Sequence, residues 1–304
     1  MVVWGRADGL NPTDNLSPKD FTLLVPEDGD QRYGNSAAQI SLNSKLGNFI
    51  GLWFPHAASY TLPLLPTRNV RYSIEPSRKP SWAPKWEGNT EGIDRSVSYF
   101  HGADPMPNIN FKSLSSNGVE IAVRNHSSAI LGADLSMTKW RTLWRAEAAY
   151  MKNDSRGAQD FEHKKSQFWL VAGGEWSLGE SGTFNLQATV LKTFKYGNPN
   201  QVNDPFLREI AWRQAATSNQ VAPTQAGFSW RLAGRWRNDA LLAELSGVAV
   251  WPSRSGIWRT KLDYAVNDHW HIQTGTDYYY GTDHTFFGQL KNNQVIYIQA
   301  RYGL

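Results

Sequence analysis

Charged side chains recur at every second or fourth position of several stretches, always on the polar side of an alternating pattern. The basic ones are Arg124, Arg145, Arg231, Arg235, Arg237, Arg259, Lys261 and Arg301; the acidic ones are Glu120, Asp134, Glu147, Glu175, Glu244, Asp263 and Asp277. Two chemistries suit such a nearly balanced set. It can line a narrow wet channel with a transverse field, or it can lock a filled interior through ion pairs. Basic residues concentrate over 225–237 and 257–266, which would attract carboxylated or phosphorylated solutes. On the same polar side, Trp169 is the candidate platform for stacking against a sugar ring.

The elements that must hold these groups are strands, because strand side chains alternate between two faces. In 225–237, Phe228, Trp230, Leu232 and Trp236 oppose Ser229, Arg231, Arg235 and Arg237; in 257–266, Trp258, Leu262, Tyr264 and Val266 oppose Arg259, Lys261 and Asp263. Further period-two segments lie at 294–304, 269–280, 240–251, 181–195, 165–176, 142–152, 130–138, 117–126, 93–102, 48–56 and 37–46, with Val2 to Gly5 as the stub of another. Most approach the ~9 to 11 residues that a tilted strand needs to cross a bilayer. Turn formers at Asn267-Asp268, Asn238-Asp239, Leu178 to Glu180, Lys139 to Arg141 and Gly47-Asn48 make short connections at one end. Longer ones at 6–36, 57–92, 153–164, 196–224 and 281–293 fall at the other. Residues 103–116 and His126 to Ala129 break this rule, the first a long connection at the short end and the second a short one at the long end. No capped helical segment of useful length stands out.

Composition agrees with a wall rather than a packed globule. Of 304 residues 40% are hydrophobic, yet there are 14 Trp, 12 Tyr and 13 Phe, and mean hydropathy is −0.50. A wide barrel needs one apolar face per strand and aromatic girdles at the two interfaces, for which Trp140, Trp144, Tyr150, Trp176, Trp236, Trp251 and Trp270 are placed. The expectation is an all-β, antiparallel transmembrane β-barrel of about 14 strands, one domain over 1–304, in the outer membrane of a Gram-negative bacterium. A soluble β-sandwich or propeller is the alternative. The opening MVVWGRADG reads as the end of a strand in progress, without a leader pattern, so an N-terminal part is expected to be missing.

The stretch Trp4 to Gly34 resembles a loop of the alginate-export-like and related uncharacterised porin families of bacterial outer-membrane barrels, in which a Trp-Gly strand end leads into Asn-Pro-x-Asp; here these are Trp4, Gly5, Asn11, Pro12 and Asp14. The resemblance implies passage of a polymer or small solute through an outer-membrane pore. It departs from common barrel ends at Leu304, where Phe or Trp is usual, with Tyr302 as partial compensation. By elementary chemistry Asn-Pro-Thr-Asp is a turn former: Pro12 fixes φ, and Asn11 and Asp14 can accept from nearby amides. Loop 6–36 or 57–92 is expected to narrow the lumen.

Other chemistries find little support. The acids Glu27, Asp28 and Asp30, and Asp154, Asp160 and Glu162, cluster without calcium-loop spacing and read as solvated loop carboxylates. The histidines at 56, 101, 126, 163, 269, 271 and 284 are scattered, with no Gly-x-Ser-x-Gly or His-Glu-x-x-His. Neither an enzyme nor a cofactor is expected, although a barrel-borne hydrolase and a filled scaffold or adhesin remain alternatives. Net charge is +4, with 31 basic and 27 acidic residues intermixed, so nucleic acid is not an expected partner. Lipid and a small hydrophilic or anionic solute are; assembly into an oligomer stays open.

Overall fold

A computed structural model describes residues 2–21, 32–62, 64, 69–77, 79–116 and 118–303. Leu304 and the acids Glu27, Asp28 and Asp30 lie outside the described residues. Thirteen strands form one antiparallel sheet in this order: β1 (Ala38–Ser44), β2 (Gly47–Phe54), β4 (Ser81–Thr90), β5 (Ile93–Ala103), β8 (Ser127–Lys139), β9 (Thr142–Asn153) and β10 (Gln167–Leu178) come first. There follow β11 (Gly182–Thr193), β12 (Thr224–Trp236), β13 (Leu241–Trp251), β14 (Ser255–Ala265), β15 (Trp270–Tyr280) and β16 (Val295–Tyr302). A second sheet of three joins β3 (Val70–Glu75), β7 (Gly118–Arg124) and β6 (Asn108–Ser115).

Local chemistry explains the turns. Trp140 and Arg141, Glu91 and Gly92, and Asn238 and Asp239 all have positive φ, the conformation that lets a tight hairpin follow the strand twist. Connections at this end are short throughout. All long ones leave the other end, including the excursion 104–126 that carries β6 and β7.

The two faces of the large sheet are chemically opposite. Leu131, Leu135, Phe168, Leu170, Leu186, Val190, Phe228, Leu232, Trp258, Leu262 and Ile272 are exposed on one face. Ser96, Ser98, Asp134, Glu147, Asn185, Gln187, Thr189, Ser229, Gln273 and Asp277 are buried on the other. Among the described residues of β8 to β15, the charged side chains on the apolar face are Lys139, Lys152 and Lys192, each within one residue of a strand end.

Contacts at the loop end run in a circuit. Tyr60 donates its amide to the Pro105 carbonyl at 2.7 Å, joining the β2–β4 loop to the 104–126 excursion. That excursion meets the β11–β12 loop through Phe111 and Phe206, whose rings are 6.0 Å apart. Trp212 of that loop stacks on His284 at 4.7 Å, and Phe286 beside it meets Phe21 at 6.0 Å, which touches Tyr60 at 5.5 Å. A flat sheet of thirteen strands would be roughly 60 Å across and would keep its end loops apart. The wall is therefore curved, with its polar face inward. Because strand direction alternates, β1 and β16 run the same way; among the described residues each has one strand neighbour.

Several expectations need correction. The segment 117–126 is not a wall strand: β7 belongs to the small sheet, where Arg124 pairs with Glu75 at 2.6 Å and Glu120 with Lys112 at 3.0 Å. Arg124 and Glu120 are therefore not on the large sheet, since alternation gives a strand two faces without saying which sheet it joins. Conversely β4, inside the expected loop 57–92, is a wall strand; Pro84 and the polar run Glu87 to Thr90 hide its alternation. Together these changes dissolve the two irregular connections, because 104–126 is one excursion from the loop end. Arg237 lies beyond β12 in a turn, with φ 55°, and rests over the Tyr264 ring. Val2 to Gly5 forms no strand. A helix does occur, α1 (Pro205–Thr217), with Asp204 capping the Leu207 amide and Pro205 in the first turn. A short α2 (Phe286–Gln289) precedes β16.

Gly47 opens β2 at φ +119°, where a Cβ would also collide with the Glu87 carbonyl. Gly47→Ala is expected to cost about 1 to 3 kcal/mol, read as a lower urea midpoint; an unchanged midpoint would contradict this account of the turn.

Candidate functional site

Residues 2–20 cross the inward face of the wall at mid-height, and a single carboxylate organises them. Glu147, on β9, is 1% exposed. Its Oε2 accepts from the amides of Arg6 at 3.1 Å and Ala7 at 3.2 Å; its Oε1 accepts from the Thr13 amide at 2.6 Å and the Thr13 hydroxyl at 2.8 Å. An ionised carboxylate has lone pairs for about four donors, so this one is saturated. Buried charge is tolerated only when so compensated. Gly5 is required beside it: its φ is +93°, and a Cβ there would sit 2.6 Å from Glu147 Oε2.

Asn-Pro-Thr-Asp shapes the segment. Asn11 Nδ2 donates to the Trp4 carbonyl at 3.0 Å, Pro12 is fully buried, and Asp14 holds Arg32. Trp4 packs with Leu16, Leu52, Phe54, Ala83, Phe100, Ile130 and Ala149 in an apolar cluster on the inward face, and Lys85 Nζ lies 5.4 Å from its ring. Arg6 reaches Asp134 at 2.6 Å and Asp94 at 3.6 Å, while Ser96 donates to Asp134. Asp8 pairs with Arg231 at 3.3 Å, and the Gln187 amide, in its satisfied orientation, pairs with the Asp8 main chain. The segment thus touches β2, β4, β5, β8, β9, β11 and β12.

The other charged candidates share this face by register. Asn185, Arg231, Ser246, Arg259 and Asp277 are cross-strand neighbours in one row. Arg259 grips Asp277 with two bonds of 2.7 and 2.9 Å, Arg145 pairs with Glu175 at 3.2 Å, and Arg231 lies 3.9 Å from Glu244. Asp263 meets His271 at 3.4 Å, and Arg235, Lys261 and Arg301 follow on the same face towards the turn end. Trp169 points inward and spends its indole N–H on Thr189 Oγ1 at 2.7 Å. The partners that sequence reasoning passed over are polar and uncharged: Thr13, Asn185 and Gln187. Their available signal was position alone, Asn185 and Gln187 alternating with Phe184, Leu186 and Ala188 on the polar side of the strand.

At the loop end, the 104–126 and 154–166 segments meet through titratable groups. The His126 and His163 rings are 4.5 Å apart, and buried Lys164 donates to Asp104 at 2.6 Å and to the Met106 carbonyl. Burial lowers the Lys164 ammonium against the pull of Asp104. Burial would raise the Asp160 carboxyl, but the Arg156 amide and His163 hold it at about 2. This acid is committed to loop structure. Burial, then His163, Lys164 and Arg124, push His126 below the ordinary 6.5, with Asp154 opposing.

No protein-family model matches the chain, and no curated protein matches it significantly.

Two outcomes follow. Glu147→Ala leaves four donors without their acceptor and is expected to destabilise the fold by about 3 kcal/mol, with faster amide exchange across residues 2–20; unaltered exchange there would refute the anchor. For His126, the folded protein binds fewer protons than the unfolded one, so stability is complete above pH ~6.5 and falls as pH drops below it. Hydrogen exchange in 104–126 and 154–166 should rise between pH 7 and 5, and His126→Phe should flatten that rise; an equal rise in the variant would show another group responsible.

Proposed function

We propose that this chain is an outer-membrane barrel pore that passes a small hydrophilic solute, narrowed at its waist by residues 2–20. The carrying observation is the inverted polarity of the wall: Leu, Val, Phe and Trp outside, Ser, Gln, Asn and charged groups inside. A charge on a lipid-facing strand costs ~2 to 4 kcal/mol at the midplane, and the charged outward residues of β8 to β15 sit at strand ends. In hydrocarbon every backbone group must find a protein partner, which lateral bonding gives the inner strands and which the pore reading requires β1 and β16 to gain by meeting each other. Trp140, Trp236 and Trp270 near the turn end, and Trp82 and Trp251 near the loop end, supply girdles. The resemblance of Trp4 to Gly34 to alginate-export-like porins points the same way.

The side chains on the inward face of β12 to β16 suit an anionic solute. Arg231, Arg235, Arg259, Lys261 and Arg301 outnumber Glu244, Asp263 and Asp277 there. Because residues 2–20 occupy so much of the inward face over β5 to β11, a filled barrel acting as scaffold is the second reading.

Refolded protein in a planar bilayer is expected to give stepwise openings, and Glu147→Gln should raise conductance severalfold by loosening residues 2–20. Arg235→Glu is expected to move the reversal potential towards cations. Brominated acyl chains should quench the tryptophan fluorescence of the protein, and Trp258→Phe should reduce the quenched fraction. An intact fold that stays silent in the bilayer would favour the scaffold; absence of quenching would remove the membrane altogether.

A further inference from the structure

Beside Gly9, where residues 2–20 meet β11 to β14, the inward face holds a cavity of about 220 Å³. Asp8, Gly9, Asn185, Ser229, Arg231 and Arg259 are among its walls. Two polar atoms there lack partners. Ser229 is 5% exposed and its hydroxyl bonds to nothing; on the 43% exposed side chain of Arg231 the Nε atom is covered and unpaired. Gly9 packs close to that hydroxyl, from which an added Cβ would stand 3.5 Å away, in ordinary contact.

Buried polar groups without partners are unfavourable, so an occupant that engages both is favoured. The guanidinium of Arg231 defines what that occupant is. Its Nη2 is 3.3 Å from Asp8 and its Nη1 a loose 3.9 Å from Glu244, while Nε has no partner. A planar two-oxygen acid matches such a fork. Arg259 shows the same pairing nearby, with both bonds going to Asp277. The second charge of a phosphate would face Glu244 and Asp277, and a neutral sugar would leave the fork without its counter-ion.

We propose that this cavity binds a small hydroxycarboxylate, whose acid group takes Arg231 and whose hydroxyls meet Ser229 and Asn185, with Asp8 as its internal competitor. Asp8 belongs to residues 2–20 and is tied at its main chain to Gln187, so the incoming acid also weakens one of that segment's attachments to the wall.

This inference rests on the reading of the inward face as a solute path, and binding in detergent separates the two. Gluconate titrated calorimetrically into the purified protein is expected to bind, with glucose and inorganic phosphate at least tenfold weaker. Arg231→Lys keeps the charge but not the fork, and should weaken gluconate at least tenfold while leaving the strand signal in circular dichroism unchanged. Asp8→Asn should tighten gluconate severalfold. Gluconate bound no better than glucose, phosphate bound as tightly, an unaffected Arg231→Lys, or an Asp8→Asn that binds no more tightly would each overturn the proposal. Protein that binds gluconate but conducts nothing fails the pore reading alone, and the reverse result fails this one alone.

Discussion

The molecule depends on which face of each strand is greasy. Successive side chains of an extended chain point to opposite sides, and in this wall the large apolar ones point away from the groups they would cover in a water-soluble sandwich. Soluble monomers seldom expose apolar patches beyond a few hundred Å²; here the outward face of β8 to β15 carries charge only near strand ends. Polar groups are left to make the interior. Everything inside must then be held by hydrogen bonds and ion pairs rather than by hydrophobic packing alone.

Glu147 shows how such an interior is made stable. A carboxylate buried in the wall would be costly without partners, and those that saturate it come from three residues of one irregular segment. The segment in turn is shaped by Gly5, Asn11 and Pro12, which set its turns, and by Trp4, which carries it into the apolar cluster against Leu52, Phe54 and Phe100. Burial of the acid and folding of residues 2–20 are one event. Arg6 with Asp134 and Asp8 with Arg231 extend the same logic across the wall, each buried or half-buried charge meeting its opposite.

Contact among the loops at the loop end has a different basis. There the segments 104–126, 154–166 and 194–223 pack through aromatic pairs, helix α1 and the buried Lys164, while the turn end carries tight hairpins. The circuit of ring contacts through Phe21 brings loops from distant strands together, although β1 and β16 are not paired among the described residues. Ile40 and Leu42 on one edge and Ile296 and Ile298 on the other are exposed accordingly, Ile296 at 84%.

Period two was legible wherever a strand alternates cleanly: β8 to β16 lie close to the segments read from residue types, and Arg145, Arg231, Arg259, Lys261, Glu175 and Glu244 share the expected face. Turn chemistry at Asn238-Asp239 and Asn267-Asp268 was equally local. Alternation could not say that β7, with Arg124 and Glu120, pairs in a separate sheet, nor that β4 joins the wall despite Pro84. Pairing is a relation between distant segments, and both sheets ask the same pattern of a strand. Of loop 6–36, residues 6–20 lie on the inward face; that Arg6, Ala7 and Thr13 would converge on Glu147, some 134 to 141 residues away, was not readable. Residue types set the faces and the turns because those are short-range properties of the chain. Only the curvature of the assembled wall brought one acid within reach of donors that the sequence leaves far apart.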